Sequence, residues 1–277
     1  YYACRDGESE HTASDTVLTR PEGNGWITRA LVQRMGPRLH TGALVHRLAD
    51  TGRSMEIDVF LPDQQRSLRV VAQQAIWAAP LFLLATVGSG LPPEFVAAAR
   101  GATYAPWLVA NLTLTEMPIE CGGAQLAWDN VLYDSPALGY VVATHQQIRV
   151  RPGPTVLTYY RALSGEPPAQ ARQQLLKTSR EAWSEHILTD LERPHPGIRA
   201  LTTRLDVFRN GHAMVRPVPG TIWGEARQRL AAGLPRLHLA HADASGLSLF
   251  EEANYRGVLA AQRVLQRLGA GPGRSLV

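Results

Sequence analysis

The residues with the clearest potential for chemistry lie in one short turn near the end of the sequence. The turn HADASG at residues 241–246 follows an apolar segment, residues 237–240, that is typical of a buried strand. A helical pattern begins just after it. Asp243 is therefore expected where a carboxylate and the positive end of a helix can face one ligand. In the alternative interpretation, Asp243 only accepts hydrogen bonds from the backbone of its own turn.

The helix after this turn is predicted from its cap and its spacing. Ser248 and Glu251 have the spacing of a capping box, which would start the helix at Ser248. Apolar and small residues then recur every three or four positions, as they do on the buried face of a helix. The predicted buried face consists of Phe250, Asn254, Val258, Ala261, Leu265 and Leu268.

Other catalytic patterns are missing from the sequence. It contains no G-x-S-x-G, no H-E-x-x-H and no C-x-x-C motif, and its two cysteines, Cys4 and Cys121, lie far apart. We therefore predict no metal site. Of the nine histidines, His241 beside Asp243 and His212 are the functional candidates, whereas His238 lies on the apolar strand and is expected in the core.

Composition describes a globular protein and limits its partners. The 277 residues are 45% hydrophobic and carry a formal net charge of +4, with Lys177 as the only lysine. Such an arginine bias is typical of GC-rich bacterial genomes, and the arginines are scattered, so no nucleic-acid partner is predicted. No apolar run is long enough to span a membrane. The cysteine content favours a reducing compartment, hence the cytoplasm by default, although a signal peptide upstream of Tyr1 stays possible. The oligomeric state is left open.

Periodicity places short elements along the first third of the chain. A helix is predicted to end at about Met35, followed by strands at residues 42–48, 54–61 and 68–71 that form an antiparallel meander. Residues 75–80 read as a further buried strand that closes the meander. A helix from Leu81 to Val87 follows, with Pro80 in its first turn.

The middle of the chain has a different pattern. Strands are expected near residues 107–114, 124–131, 139–145 and 155–161, followed by one long helix over residues 168–192. The fold class is therefore mixed α/β (α+β). Polar and aromatic residues of this region could line a substrate pocket, although aromatic residues at such positions are often ordinary core. The pocket candidates, which include one residue from beyond this region, are Trp107, Asn111, Trp128, Tyr140 and His212.

Two segments resemble the flavin-containing amine oxidases and related FAD-dependent oxidoreductases. Residues 250–261, FEEANYRGVLAA, resemble the C-terminal helix pattern M-E-G-A-x-x-S-G-x-x-A-A of that superfamily, and Ala242-Asp243 resembles its Gly-Asp turn. Residues 72–80, AQQAIWAAP, are similar to its A-D-x-V-I-x-A-x-P strand. These segments occur in the order and at the separation that the superfamily has.

The resemblance implies FAD as the cofactor and a set of residues that contact it. The turn carboxylate would bond the ribityl or diphosphate region, the helix after it would face the flavin, and a valine of the first meander strand would meet the adenine. The implied cofactor-binding residues are Val45, Pro80, Asp243, Ser245, Gly246, Glu251 and Ala253. The resemblance further implies a partial, Rossmann-like FAD-binding domain that is interrupted by a substrate-binding domain with an antiparallel sheet and helices.

The sequence also departs from this superfamily. The strand expected to carry a lysine near the flavin, residues 105–114, has none, which puts amine oxidation in doubt. No G-x-G-x-x-G turn joins a strand to a helix, so we expect a C-terminal portion that binds FAD weakly or not at all by itself. The predicted divisions are a lead-in at 1–16, an FAD-binding-like domain at 17–80 and 205–277, and a substrate-binding-like domain at 81–204.

Two functions follow from these patterns. The first is an FAD-dependent, amine-oxidase-like oxidoreductase that acts on a small organic molecule, present here as a fragment or truncated form. The second is a non-catalytic αβ module, or a subunit, that keeps the fold without binding FAD by itself. The catalytic residues are not assigned by the sequence.

Overall fold

The computed structural model of the protein describes residues 23–119, 126–143 and 153–271. The predicted lead-in at 1–16 lies outside these residues. The described helices are α1 (Gly25–Met35), α2 (Leu81–Val87), α3 (Pro93–Arg100), α4 (Pro168–Lys177), α5 (Arg180–Glu192), α6 (Ile198–Leu201), α7 (Glu225–Ala232) and α8 (Phe250–Arg267). The described strands are β1 (Leu44–Asp50), β2 (Met55–Leu61), β3 (Arg66–Ala72), β4 (Ala75–Trp77), β5 (Gly88–Ser89), β6 (Tyr104–Leu114), β7 (Asp129–Asn130), β8 (Gly139–Val142), β9 (Thr155–Ala162), β10 (Thr202–Val215) and β11 (Leu237–Leu239).

The predicted meander forms a four-stranded sheet in the order β3-β2-β1-β5. The pairs β1–β2 and β2–β3 are antiparallel, whereas the short β5 joins β1 in parallel. Cross-strand ion pairs fix the register, because Asp58 of β2 lies opposite both Arg47 of β1 and Arg69 of β3. The meander prediction is thus confirmed.

The strand at residues 75–77 pairs elsewhere than expected. Instead of closing the meander, β4 pairs in parallel with β11, with Ala75 opposite Leu237 and Trp77 opposite Leu239. The side chains of Ala75, Trp77, Leu237 and Leu239 are buried in an apolar core that also takes in Leu81, Leu84 and Phe95. This pair therefore brings two distant parts of the sequence into one sheet, with their carboxyl ends side by side.

The remaining strands form a five-stranded sheet in the order β10-β6-β9-β8-β7. The helix predicted over residues 168–192 is in fact two helices, α4 and α5, and this prediction was wrong. Thr178 is extended and bonds back to the carbonyl of Gln174, while the Ser179 hydroxyl accepts from the N–H of Ala182. Both hydroxyl side chains therefore satisfy backbone groups at a helix end, which favours a break over a continuous helix.

The last helix differs from its prediction in its start and its buried face. α8 begins at Phe250 after Leu249, and the Ser248 hydroxyl accepts from Val215 N–H at 2.9 Å instead of forming a capping box. Phe250 is exposed, and the buried positions are Arg256 and Ala260. The predicted buried face of α8 is wrong because Arg256, which the sequence pattern places on the exposed face, is buried and hydrogen-bonded to Ser245.

The chain divides into two compact units, each made of several segments. One consists of residues 110–159 and 184–206 together with the described residues up to Leu39, and the other of residues 40–109, 160–183 and 207 onward. The second unit holds the core around β4 and β11. The functional division predicted at residues 80/81 and 204/205 stays a prediction. Among the described residues, no helix has both the length and the apolar character needed to cross a membrane.

Candidate functional site

The turn after β11 holds a buried carboxylate. The strand ends at Leu239, and a short 3₁₀ turn, Ala242–Ala244, follows it. The side chain of His241 lies at the start of this turn, where its Nδ1 accepts from the N–H of Asp243 at 3.2 Å. Asp243 is only 5% exposed. The sequence prediction that Asp243 lies just beyond the carboxyl end of a strand is therefore confirmed.

The Asp243 carboxylate accepts hydrogen bonds from chain segments far away in sequence. Its Oδ2 accepts from the Leu81 N–H at 3.1 Å and from the Tyr104 hydroxyl at 2.5 Å. Leu81 is the first residue of α2, so the carboxylate satisfies one of the N–H groups that a helix leaves without a partner at its start. Asp243 thus does satisfy a backbone donor, but in α2 rather than in its own turn.

Burial and hydrogen bonding act in opposite directions on the pKa of Asp243. Burial raises this pKa, but the adjacent His241 side chain and the bonds from Tyr104 and Leu81 outweigh it, so the pKa lies below its ordinary value. The pKa of Tyr104 is raised, first by burial and then by the bond to Asp243. At neutral pH the pair is therefore a carboxylate and a neutral phenol, with the phenol as the donor.

Three aromatic rings pack together beside this carboxylate. Phe82 stacks on His212 with ring centroids 4.3 Å apart, and Tyr104 meets both rings edge-on at 5.2 and 5.7 Å. The pKa of His212 is lowered by burial and by the charge of Arg172, so its imidazole is neutral at pH 7. His212 is brought close to Asp243 in this way, whereas the sequence did not single out Phe82 and Tyr104 for this site.

A cavity of about 550 Å³ opens beside Asp243 within the same compact unit. Its walls come from α3 and the loop after it, from the end of β10 and the loop that follows, from α7, and from the first residue of α2. The lining residues are Leu81, Glu94, Ala97, Ala98, Gly101, Ala102, Thr103, Val215, Arg216, Pro219, Gly220, Thr221, Ala226, Arg227, Arg229, Leu230 and Asp243. The wall thus combines aliphatic surface with three arginines and two acidic residues.

The other predicted cofactor residues of the turn are buried. Ser245 is 7% exposed and accepts from Arg256 Nε at 2.7 Å, and Gly246 has a φ of +74°. A Cβ at Gly246 would lie 2.8 Å from Ile222 Cδ1. Close packing and left-handed backbone together therefore require glycine at this position.

The remaining predicted cofactor residues lie on the surrounding elements. Val45 is half-buried in β1, and Pro80 is the residue just before α2. On α8, Glu251 is exposed and Ala253 is half-buried, both in the first turn. Of these four residues, Pro80 lies next to a residue that bonds Asp243. A cofactor role for each of them stays a prediction.

The predicted pocket residues other than His212 have protein partners of their own. Asn111 Oδ1 accepts from the Thr158 hydroxyl at 2.9 Å, and the Tyr140 hydroxyl lies 2.6 Å from His195 Nε2. Trp107 stacks at 6.4 Å on Tyr160. Trp128 is half-buried just before β7. None of them lines the cavity beside Asp243, and their role in substrate binding stays a prediction.

No group of three or more histidine, cysteine or acidic side chains suited to a metal ion occurs among the described residues.

Comparisons with known proteins identify the fold. No protein-family model matches the sequence, and no curated protein matches it. Solved structures do match. A protein described as a protoporphyrinogen oxidase from Exiguobacterium sp. 255-15 is 14% identical, with a TM-score of 0.64 over 92% of this chain. The chain has the fold of the flavin amine oxidase superfamily.

Two further solved structures share this fold. A double mutant of putrescine oxidase is 12% identical with a TM-score of 0.65 over 88% of this chain, and cyclohexylamine oxidase from Brevibacterium oxydans IH-35A is 13% identical with a TM-score of 0.64 over 89%. The chain spans about half the length of these structures, namely 54% of the first and 53% of the other two. The resemblance inferred from the sequence is confirmed as a likeness of fold, and the mixed α/β class is confirmed with it.

Proposed function

We propose that this chain belongs to an FAD-dependent, amine-oxidase-like oxidoreductase that acts on a small organic molecule. The observation that carries the proposal is the Asp243 carboxylate, which lies beyond the carboxyl end of a parallel strand and in the wall of a cavity. Ligands of open α/β sheets bind at this place in the fold. We propose that the β4–β11 pair is part of a Rossmann-like, FAD-binding domain.

The residues of the cavity suit FAD by the chemistry of their side chains. Asp243 has acceptor capacity left after its bonds to Leu81 and Tyr104, since a carboxylate offers about four acceptor positions. Ribityl hydroxyls of a flavin could donate to it, while Arg216 and Arg227 could pair with phosphate. When bound, FAD supplies the acceptor for a hydride from the substrate.

The substrate itself is proposed only as a small organic molecule. An amine is not favoured over other substrates, because the single lysine of the sequence, Lys177, lies in α4 and not in β6. The neutral imidazole of His212, stacked on Phe82, provides an aromatic surface that could position a substrate. The alternative of a non-catalytic αβ module is not favoured, because the structural neighbours are oxidases.

The role of Asp243 is tested by FAD titration of the chain and of Asp243→Asn. Loss of one charge-assisted hydrogen bond should weaken FAD binding by about 1.5–3 kcal/mol, which is roughly tenfold to a hundredfold in dissociation constant. Quenching of flavin fluorescence measures the affinity, and the absorbance at roughly 450 nm shows whether the bound flavin is oxidised.

A matched control separates this effect from the loss of any acidic charge. Asp63→Asn makes the same chemical change at an exposed position of the same compact unit, and it should leave the dissociation constant unchanged. An unchanged affinity in Asp243→Asn, with circular dichroism showing an intact fold, would rule out Asp243 as a cofactor contact.

A further inference from the structure

The cavity beside Asp243 has an excess of positive charge in its wall. Arg216 lies in the loop after β10, and Arg227 and Arg229 lie on α7. The acidic residues of the wall are Glu94 and Asp243. Glu94 is exposed on α3 and therefore solvated, and the three guanidinium groups outnumber the two carboxylates of the wall. The wall is thus suited to an anion.

Two of these arginines are hydrogen-bonded to neighbouring backbone, and none of the three has an acidic partner in the described part of the chain. The Arg216 backbone is fixed at both sides, since its N–H donates to the Thr103 carbonyl and its carbonyl accepts from the Val218 N–H. Arg227 donates its Nε to the Ile222 carbonyl, which leaves its terminal nitrogens for a ligand. Within residues 23–119, 126–143 and 153–271, no acidic side chain forms an ion pair with Arg216, Arg227 or Arg229.

A further arginine adds positive potential from behind the Ser245–Gly246 turn. Arg256 is 8% exposed, and its hydrogen bond in the described structure runs from Nε to the Ser245 hydroxyl. Its pKa is lowered mainly by burial, against the opposing effects of Glu252 and Tyr255, and the like charges of Arg227 and Arg263 lower it further. Like-charged guanidinium groups repel one another, and a bound anion would reduce that repulsion.

We propose that this cavity binds a ligand through a phosphate or diphosphate group, with Arg216, Arg227 and Arg229 as its recognition residues. Guanidinium groups match phosphate oxygens in bidentate geometry, and more than one arginine favours a multiply charged group over a single carboxylate. The phosphate would belong either to a flavin nucleotide or to a nucleotide without flavin. Only the first of these two ligands rests on the proposed function.

The binding of the anion itself is measured with inorganic pyrophosphate as the probe. Isothermal titration of the chain at low and raised ionic strength should show binding that weakens with salt. Arg216→Gln and Arg229→Gln should each weaken it about tenfold or more, since each removes a charge-assisted bond. Arg229 is exposed on α7, so its substitution should not prevent folding, and thermal melting verifies this.

The control variant is Arg66→Gln, which removes an exposed arginine of the same compact unit that lies on β3, outside the cavity wall. It should bind pyrophosphate as the unchanged chain does. If Arg216→Gln and Arg229→Gln bind pyrophosphate as tightly as Arg66→Gln, or if the unchanged chain binds none, the inference is overturned.

Titrations with FAD, riboflavin and ADP then test the anion site and the proposed flavin function separately. Tighter binding of FAD than of riboflavin, lost in Arg229→Gln, supports both proposals with the flavin nucleotide as source. Binding of ADP and pyrophosphate without any flavin supports the anion site and contradicts the flavin function. Binding of riboflavin and FAD with equal affinity, unaffected by Arg229→Gln, overturns the anion site while leaving the flavin function intact.

Discussion

At the scale of single residues, the Ser245 hydroxyl and the buried guanidinium of Arg256 depend on each other. The bond of 2.7 Å between them is the side-chain hydrogen bond that Arg256 has in the described structure. When a buried donor loses its acceptor, the protein loses more free energy of unfolding than the hydrogen bond contributed. Replacing a buried charged side chain by an apolar one of similar size changes this free energy little. Two substitutions at this pair should therefore have different consequences.

Ser245→Ala should lower the free energy of unfolding by about 1–3 kcal/mol, because Arg256 Nε stays buried without an acceptor. Arg256→Met should change it by less than about 1.5 kcal/mol, and the double variant should regain most of what Ser245→Ala loses. Urea unfolding measures the free energy of unfolding of all three variants. The exposed Ser67 on β3 provides the control Ser67→Ala. A larger loss in Arg256→Met than in Ser245→Ala would contradict this account.

The sequence predicts some residues of the site and not others for a physical reason. Asp243 is recognisable because strand, turn and helix patterns surround it within a short stretch. Tyr104 and Leu81, which bond it, lie 139 and 162 positions away, and no local pattern connects residues so far apart. Arg256 was also missed, because a periodicity that counts arginine as polar places it on the solvent face.

At the scale of elements, the ion pairs across the meander make its stability depend on pH. Asp58 of β2 contacts Arg69 of β3 at 2.6 Å and Arg47 of β1 at 3.2 Å. The bond from Arg69 is the main cause that lowers the pKa of Asp58 to about 2 from the usual 3.8, with Arg47 adding to it against the effect of burial. The Asp58 carboxylate therefore links β1, β2 and β3 through its two ion pairs.

Because the pKa of Asp58 is lower in the folded than in the unfolded chain, its contribution to stability is present above about pH 4. That contribution is lost as the pH falls through about 2. Asp58→Asn should therefore be less stable than the unchanged chain at pH 6, and the difference should shrink between about pH 4 and pH 2. Urea unfolding over this range measures it, with Asp63→Asn as the control at an exposed position. A difference that is constant over this range would contradict the prediction.

The elements that the sequence predicted well are those whose own residues determine them. Apolar residues alternate along the meander strands, and a proline directly precedes α2, so both could be located. The break between α4 and α5 was missed because Thr178 and Ser179 fit a helical pattern until their hydroxyls are seen to bond backbone groups. The partner of β4 was missed because parallel pairing depends on a strand from another part of the chain.

At the scale of the whole molecule, the order of weak motifs predicted the fold although no single motif did so alone. The segment at residues 72–80 and the Asp243 turn occur in the order of the flavin amine oxidases, and the likeness of fold to the solved oxidases agrees with this. The function is less determined, since the chain spans about half of those structures. Substrate choice depends on side chains in a pocket, which the fold leaves open.

The 277-residue chain should lose FAD readily during purification. Tight binding of a diphosphate in this class of fold uses a strand, a glycine-rich turn and a helix start, and the described residues contain no such G-x-G-x-x-G unit. Passage of an FAD-saturated sample through a desalting column, followed by the flavin spectrum, measures retention. Stoichiometric FAD after this step would show that the cavity arginines suffice without that unit.

The parallel pairing of β4 with β11 has a consequence for the order of folding. The two strands lie on segments so distant that the bond from Leu81 to Asp243 closes a loop of 162 residues. Local structures such as the antiparallel meander can form early, whereas a closure of this length is slow, because its entropic cost precedes any gain from contacts. The same late step covers the edge of β4 and buries Asp243. We therefore expect the chain to acquire its candidate site late in folding, and a partly folded molecule to have an uncovered strand edge where that site will form.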